Sequence, residues 1–325
     1  MLTKVIAQAN VDHAEKWFEK AEKIVIVSHV SPDGDAIGSS LGLYHFLQTQ
    51  EKTVNVIVPN QFPDFLKWMP GAKDVIIYDR YKDFADRLIR EADVICCLDF
   101  NELKRIDTME EAVRNASARK MLVDHHLNPG NFAGITISHP DISSTSELVF
   151  RLICRLGNFD DITREGAECI YTGMMTDTGG FTYNSNNREI YYIISELLSK
   201  GIDKDQIYRN TFNTHTEGRL RLMGYVLYEK MEIYRDFNSA LIWLTKEDQR
   251  KFQYRKGDTE GFVNMPLSMQ GIRFSCFLRE DTEKDMIKVS LRSVGDFPCN
   301  KVASDFFGGG GHLNASGGEV YGTMD

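Results

Sequence analysis

The chain has 325 residues, of which 42% are hydrophobic and 26% are charged, a balance that predicts a globular protein of about two domains. Its net charge of −9 argues against a large basic face for long duplex nucleic acid. The sequence has no apolar run of about 18 residues, and it begins with a polar, periodic segment, so it predicts neither a membrane span nor a signal peptide.

Cysteine usage gives an expectation about the cellular environment. The six cysteines form no Cys-x-x-Cys pair and fall mostly in apolar segments. This pattern favours neither a disulfide framework nor a zinc site. We therefore expect a cytoplasmic protein.

Strand-like and helical segments alternate through the first part of the chain, after an opening helix. The predicted strands are 23–29, 53–59, 74–78, 93–99 and 120–124. The predicted helices between them are 35–50, 81–91 and 107–117. This alternation predicts a parallel sheet covered by helices on both faces, with ligands bound beyond the carboxyl ends of the strands.

The rest of the chain changes in character. Helical spacing predominates after residue 144, and the segment 188–234 carries no obvious chemistry, so we interpret it as a connector. Beyond it, a smaller mixed α/β domain is predicted by three strand-like runs and a short helix at 240–244, 272–278, 287–292 and 300–307. The predicted division is therefore a first domain, a connector and a second domain over 1–187, 188–234 and 235–325.

Potential metal ligands stand where three predicted strands and one helix end. They are His29, Asp33 and Asp35 in S-H-V-S-P-D-G-D, Asp99 in L-D-F, His125 in V-D-H-H and Asp177 in T-D-T-G-G-F. The aspartates of D-G-D, L-D-F and T-D-T-G-G-F each have an ordinary alternative explanation as turn, cap or loop residues. A purely structural role is the weaker explanation for V-D-H-H, because two adjacent histidines are not a typical core pattern. Together they offer four carboxylates and two imidazoles, which suffice for two divalent ions that share one carboxylate. The mixture favours Mn²⁺ or another first-row ion over Ca²⁺, and paired ions predict hydrolysis of a phosphate ester.

A second set of candidates lies near the end of the sequence. K-V-S-L-R-S places Ser290 and Arg292 on one face of a strand, and arginine suits bidentate recognition of phosphate. The stretch G-G-G-G-H-L-N-A-S-G-G follows, with the candidates Gly309, Gly310, Gly311, His312 and Asn314. Glycine N–H groups can approach an anion closely, and His312 could donate to a phosphate. A solvated strand face and a flexible tail are the alternative explanations.

These motifs, in this order, carry a resemblance to a known family. H-V-S-P-D-G-D-A-I-G-S, L-D-F, V-D-H-H and T-D-T-G-G-F resemble the DHH phosphoesterase superfamily, and K-V-S-L-R-S with G-G-G-G-H-L-N-A-S-G looks like the DHHA1 domain. The chain is most similar to the bacterial nanoRNase group. The resemblance implies a parallel-sheet α/β DHH domain with helices on both faces, a helical connector and a smaller mixed α/β DHHA1 domain, with the active site in the interdomain cleft.

The resemblance also implies a role for each candidate. Two Mn²⁺ ions, with Mg²⁺ or Co²⁺ as alternatives, would be bound by His29 and Asp33 at one site, by Asp35, His125 and Asp177 at the other, and by Asp99 as the bridge that holds the attacking water. Asp124 would orient a metal ligand, and His126 would face the substrate phosphate. In the DHHA1 domain, the candidates around Arg292 and His312 would hold the terminal phosphate or nucleotide.

The leading hypothesis is hydrolysis of short RNA oligonucleotides to 5′-mononucleotides, together with removal of the 3′-phosphate of pAp (adenosine 3′,5′-bisphosphate). The alternatives within the same enzyme class are a linear or cyclic dinucleotide phosphodiesterase and an exopolyphosphatase-like hydrolase. An inactive nucleotide-binding sensor is the alternative from a different class. A homodimer is compatible with the resemblance, whereas long duplex nucleic acid and membranes are not expected partners.

Overall fold

The computed structural model describes residues 3–255 and 257–324. These residues form twelve strands and eleven α-helices, and the chain separates into two compact units between Thr214 and His215. The boundary falls inside the segment 188–234, and the predicted limits of the functional domains stay a prediction. Within the described ranges, no helix has the length and apolar character needed to cross a membrane.

A six-stranded parallel sheet forms the centre of the first unit. In chain order its strands are β1 (Lys23–Val27), β2 (Thr53–Val58), β3 (Ile76–Ile77), β4 (Val94–Leu98), β5 (Arg119–Asp124) and β6 (Ile135–Ser138). Their spatial order is β3-β2-β1-β4-β5-β6, and all neighbours are parallel. The chain runs outward in opposite directions from the adjacent strands β1 and β4. Such a switch in strand order opens a crevice beyond the carboxyl ends of the two strands.

Helices cover both faces of this sheet. They are α1 (Gln8–Lys20), α2 (Gly34–Thr49), α3 (Lys82–Glu91), α4 (Glu110–Asn115), α5 (Thr145–Arg155), α6 (Arg164–Asp177), α7 (Arg188–Ser199) and α8 (Lys204–Phe212). In β1, Ile24 and Ile26 join the core that contains α2, α5 and α6, whereas Val25 and Val27 join the core that contains α3 and α4. The predicted parallel sheet with two helical layers is confirmed.

Glycines permit close packing of α2 against α6. A Cβ atom on Gly34 would lie 2.2 Å from Oγ1 of Thr176, and one on Gly38 would lie 2.7 Å from Cα of Gly173. The two backbones can approach this closely only because glycine carries no side chain. As a result, the beginning of α2 lies beside the end of α6.

A mixed six-stranded sheet forms the centre of the second unit. Its strands are β7 (Met231–Tyr234), β8 (Ser239–Leu244), β9 (Phe274–Glu280), β10 (Met286–Ser293), β11 (Gly310–His312) and β12 (Ala315–Tyr321). Their order is β11-β12-β10-β9-β8-β7, with β8 and β9 parallel and the other neighbours antiparallel. The helices of this unit are α9 (Glu217–Glu229), α10 (Lys246–Lys251) and α11 (Cys299–Phe307). The predicted smaller mixed α/β domain is confirmed.

Two stretches of the second unit differ from the sequence predictions. Helical spacing is predicted to about residue 234, but α9 ends at Glu229 and the alternating M-E-I-Y segment forms β7. The glycine-rich stretch is a hairpin of β11 and β12 rather than a loop or a tail. A Cβ on Gly309 would lie 1.9 Å from the carbonyl oxygen of Gly317, and one on Gly311 would lie 2.5 Å from that of Ala315. These two glycines are therefore required by backbone packing.

Candidate functional site

The structure brings the six predicted metal ligands together beyond the carboxyl ends of the central strands. They are His29 after β1, Asp99 after β4, His125 after β5, Asp33 and Asp35 at the start of α2, and Asp177 at the end of α6. Their ligand atoms form one group around His29 and another around His125. The predicted clustering of these side chains is therefore a property of the fold.

The first group contains His29, Asp33 and Asp99. Nε2 of His29 lies 3.8 Å from Oδ1 of Asp33 and 3.4 Å from Oδ2 of Asp99. Nδ1 of His29 lies 2.9 Å from the carbonyl oxygen of Val30, which can only accept a hydrogen bond. Nδ1 is therefore the donor, and Nε2 is the atom directed at the carboxylates.

The second group contains Asp35, His125 and Asp177. Nε2 of His125 lies 4.0 Å from Oδ2 of Asp35 and 3.4 Å from Oδ2 of Asp177. Nδ1 of His125 donates to the carbonyl of Ile142 at 3.2 Å, so Nε2 is again the atom directed at the carboxylates. Oδ1 of Asp99 lies 3.7 Å from the same Nε2. The two oxygens of Asp99 thus face one group each, which is the geometry of a bridging carboxylate.

The first turn of α5 holds the carboxylates in place. The backbone N–H groups of Thr145 and Ser146 donate to the two oxygens of Asp35 at 2.6 and 2.9 Å. The hydroxyl of Thr145 donates to Oδ1 of Asp99 at 2.8 Å. Sequence reasoning missed both residues. The available signal was the S-x-x-E pattern at Ser144, which caps α5 by accepting the N–H of Glu147.

Asp124 and His126 form a pair next to this centre. Nδ1 of His126 lies 2.7 Å from Oδ1 of Asp124 and 3.8 Å from Oδ1 of Asp99. The other oxygen of Asp124 is buried and has no hydrogen-bond partner among the residues that the structure describes. The resemblance implies that Asp124 orients a metal ligand, but its hydrogen bond goes to His126, and His125 is oriented by Ile142 instead.

The clustered carboxylates repel one another, so the centre disfavours the state in which all of them are ionised. Burial, followed by the charges of Asp99 and Asp177, holds the pKa of Asp35 well above its usual range. Burial also raises the pKa of Asp177 to about 7, and the charges of Asp33 and Asp99 add to this increase. Burial lowers the pKa of His29, but Asp33 and Asp99 outweigh it and raise the value to about 10. Such a site gains stability from bound cations, and its mixed nitrogen and oxygen donors fit first-row divalent ions.

In the second unit, three candidates lie on one face of the sheet. Arg292 on β10 pairs with Ala315 on β12, which pairs in turn with His312 on β11. Paired residues on neighbouring strands project to the same face, and Ser290 shares that face because it lies two residues before Arg292. The predicted Ser290 and Arg292 face is thus extended by His312.

The remaining candidates shape this face or its border. Ser290 is in register with Gly317, and Gly317 with Gly310, so this row has two positions without side chains. Nδ2 of Asn314 donates to Oγ of Ser293 at 2.8 Å. The Asn314 amide therefore holds the turn that follows β10.

Comparison with known proteins gives the family. The family model described as DHH family, N-terminal domain, matches residues 23–174, and that of the DHHA1 domain matches residues 237–323. The crystal structure of an exopolyphosphatase-related protein from Bacteroides fragilis is 75% identical in sequence, with 99% of this chain and 94% of that chain covered and a TM-score of 0.97.

Two curated relatives extend the comparison. The bifunctional oligoribonuclease and PAP phosphatase NrnA of Thermus thermophilus is 31% identical over 92% of this chain and 84% of its own length. The cyclic-di-AMP phosphodiesterase PdeA of Listeria monocytogenes is 26% identical over 96% of this chain and 47% of its own length. The chain belongs to the DHH family and carries a DHHA1 domain.

Proposed function

We propose that this chain is a two-metal phosphoesterase that hydrolyses short RNA oligonucleotides to 5′-mononucleotides and removes the 3′-phosphate of pAp. The observation that carries the proposal is the position of Asp99, whose oxygens face the His29 group and the His125 group at 3.4 and 3.7 Å. Membership of the DHH family makes the chain a hydrolytic phosphoesterase. The substrate class is supported by the Thermus thermophilus relative, whose name contains both activities.

The proposed metal is Mn²⁺, with Mg²⁺ and Co²⁺ as alternatives. His29 and Asp33 would hold one ion, the Asp35, His125 and Asp177 group would hold the other, and Asp99 would bridge them. When bound, such a pair of ions activates a water and stabilises the charge that develops on the attacking and leaving oxygens. The choice of Mn²⁺ is supported by the mixture of imidazole and carboxylate donors.

The side chains around the His29 group and the His125 group would bind and orient the substrate. Asp124 accepts a hydrogen bond from Nδ1 of His126 and so fixes the orientation of that ring, which is 26% exposed and can be reached by a substrate oxygen. In the second unit, Ser290, Arg292 and His312 would hold the terminal phosphate or nucleotide. Arginine and histidine suit this task because both donate charge-assisted hydrogen bonds to phosphate oxygens.

The proposed cellular setting is the cytoplasm, with small substrates rather than long duplexes. All six cysteines are free thiols, which supports a reducing environment. The net charge of −9 supports a preference for short oligonucleotides, because tight binding of long nucleic acid depends on many basic contacts.

A second candidate function is hydrolysis of inorganic polyphosphate. The specific observation in its favour is the 75% identical crystal structure, which is described as an exopolyphosphatase-related protein. The metal centre would serve both reactions, and the substrates differ in whether they carry bases. The distinction therefore needs a direct assay.

The test is a product time course in the presence of Mn²⁺. The substrates are an RNA dinucleotide, an RNA pentanucleotide, a long single-stranded RNA, pAp, cyclic di-AMP and inorganic polyphosphate. We expect rapid release of 5′-mononucleotides from the two short RNAs, release of phosphate from pAp and little turnover of the long RNA. Turnover of polyphosphate alone would replace the first candidate with the second.

Two substitutions test the metal assignment. Asp99 has a φ of +65°, a conformation that asparagine tolerates as well as aspartate, so Asp99→Asn keeps the backbone and removes a bridging oxygen. We expect turnover to fall by at least about 100-fold, since replacing a residue that only hydrogen-bonds to a metal ligand already lowers metal affinity or activity by about 10- to 100-fold. Asp107→Asn is the matched control, because Asp107 is exposed, has a φ of +45° and lies outside the metal groups. Undiminished turnover by folded Asp99→Asn protein would contradict the bridge.

A further inference from the structure

We propose that the ring of Tyr183, in the turn that directly follows the metal-ligand candidate Asp177, is a stacking surface for a nucleobase of the substrate. The inference rests on the proposed function and deepens it, because it assigns a subsite that distinguishes a nucleotide substrate from polyphosphate. The relevant segment is T-G-G-F-T-Y, residues 178–183, which follows Asp177 directly.

This segment is a tight, well-anchored turn. Three consecutive residues have positive φ angles: Gly179 at 55°, Gly180 at 71° and Phe181 at 63°. The N–H of Tyr183 donates to the carbonyl of Thr178 at 3.2 Å, and the hydroxyl of Thr178 donates back into α6 at 2.7 Å. These hydrogen bonds therefore fix the backbone of Tyr183 to Thr178, the residue that follows the metal-ligand candidate Asp177.

The two aromatic residues of the turn have different environments. Phe181 points into the protein, where its ring centroid lies 5.6 Å from that of Tyr171. The ring of Tyr183 lies against the backbone of Gly179, since a Cβ there would be 2.2 Å from Cε1 and 2.8 Å from Cζ. Tyr183 nevertheless remains 53% exposed. The ring is thus held against glycine while about half of the side chain remains exposed.

A second aromatic pair borders the same turn. The rings of Tyr208 and Phe212 lie 5.0 Å apart, and a Cβ on Gly180 would be 3.7 and 4.0 Å from them. Tyr208 is 47% exposed. Aromatic rings therefore border both glycines of the turn.

This arrangement matches the chemistry of base recognition. Every nucleobase has a flat π-face, so stacking on an aromatic side chain accepts any base and requires no hydrogen-bond code. A ring already held against a glycine backbone loses little conformational freedom on binding, which improves affinity. Polyphosphate has no base and would gain nothing from such a ring. The Tyr183 surface therefore favours nucleotides over polyphosphate as the substrate class.

The test compares substrates with and without a base. The variants are Tyr183→Ala, Tyr183→Leu, which keeps apolar bulk against Gly179, and Tyr183→Phe, which keeps the ring. Tyr191→Ala is the matched control, because Tyr191 lies on α7 of the same unit and is 52% exposed. The probes are a 5′-phosphorylated diadenylate and the same dinucleotide with both bases replaced by hydrogen, each with saturating Mn²⁺.

We expect Tyr183→Ala and Tyr183→Leu to raise KM for diadenylate about 10-fold, with kcat within about twofold of the wild type. Tyr183→Phe and Tyr191→Ala should behave as the wild type, and KM for the abasic dinucleotide should change in no variant. Mn²⁺ titration by calorimetry should be the same for all proteins, which separates loss of stacking from damage to the metal centre.

Three results would overturn the inference. Unchanged KM of Tyr183→Ala and Tyr183→Leu for diadenylate would show that the ring does not contact a base. An equal rise for the abasic dinucleotide would assign the ring to the phosphate backbone. Wild-type protein that hydrolyses polyphosphate but no dinucleotide would overturn the proposed function itself, and is recognised without any variant.

Discussion

Gly173 lies where three helices meet at the metal centre, and its replacement by alanine tests how packing positions the ligands. A Cβ at this position would lie 1.9 Å from Oγ of Ser146 and 2.9 Å from Oδ1 of Asp35. Asp35 cannot withdraw easily, because the N–H groups of Thr145 and Ser146 hold both of its oxygens. The added methyl group must therefore displace α6 or break these hydrogen bonds.

The magnitude follows from the distances. Ordinary contact begins at 3.4 Å, so even after Oγ of Ser146 rotates away, the new Cβ remains too close to Cβ of Ser146 at 2.8 Å and to Oδ1 of Asp35 at 2.9 Å. Overpacking of this kind costs about 1–3 kcal/mol, and the better helix propensity of alanine returns up to about 1 kcal/mol. We expect Gly173→Ala to lower the free energy of unfolding by about 1–2 kcal/mol. Because Asp35 shifts, we also expect Mn²⁺ affinity to fall about 10-fold.

Gly224→Ala is the matched control. Gly224 is an exposed residue of α9, and nothing lies within 4 Å of a Cβ built on it. Alanine should therefore stabilise this helix by about 0.5–1 kcal/mol without any effect on metal binding. Denaturant unfolding and calorimetric titration with Mn²⁺ measure the two quantities. If Gly173→Ala bound Mn²⁺ as tightly as the wild type, the packing account of the ligand geometry would be refuted.

Three further predictions concern Thr145, the Glu189 carboxylate and the bound ions. Thr145→Val removes the hydroxyl that donates to Asp99 but keeps the backbone N–H, so we expect the Mn²⁺ affinity measured by calorimetry to fall about 10-fold. Thr145→Ser keeps a hydroxyl and should bind Mn²⁺ within about twofold of the wild type. Equal affinities for the valine and serine variants would contradict this role. Hydrogen bonds from Thr3, together with Arg151, lower the pKa of Glu189 from 4.5 to about 2, and this stabilisation is present above pH 4.5 and lost as the pH falls towards 2. Glu189→Gln should therefore reduce the free energy of unfolding at pH 7 by about 2 kcal/mol, with the difference narrowing in acid, whereas a difference independent of pH would exclude this linkage. Chelation of divalent ions should lower Tm, because the carboxylates then repel one another without compensation, and a Tm unaffected by added Mn²⁺ would argue against the site.

The clustering of the metal-ligand candidates could be predicted because of where they stand in the sequence. His29, Asp99 and His125 each follow an apolar strand, and parallel strands bring their carboxyl ends to one edge. The groups that hold the carboxylates could not be predicted in this way. The donors of Thr145 and Ser146 include backbone N–H groups, and a sequence does not state which carboxylate such a group will face.

The second unit shows a different limit. The residues around Gly309 are equally compatible with a loop and with a strand, because glycine accepts many backbone conformations. The outcome is decided by pairing with residues 315–321, whose own position depends on β10. In the first unit, the sequence pattern does not predict β6, because its four residues, I-T-I-S, are too few for a clear alternation.

Asp99 illustrates why a site of repelling carboxylates needs this fold. Its N–H donates to the carbonyl of Val123 at 3.1 Å, which extends the pairing of β4 with β5 by one residue. The backbone then turns at a φ of +65°, a conformation that costs about 1–3 kcal/mol outside glycine. The preceding strand, V-I-C-C-L, is buried throughout and supplies the apolar stabilisation that offsets this cost. The apolar strand therefore fixes the starting point of the turn. The turn then directs one oxygen of Asp99 toward the His29 group and the other toward the His125 group.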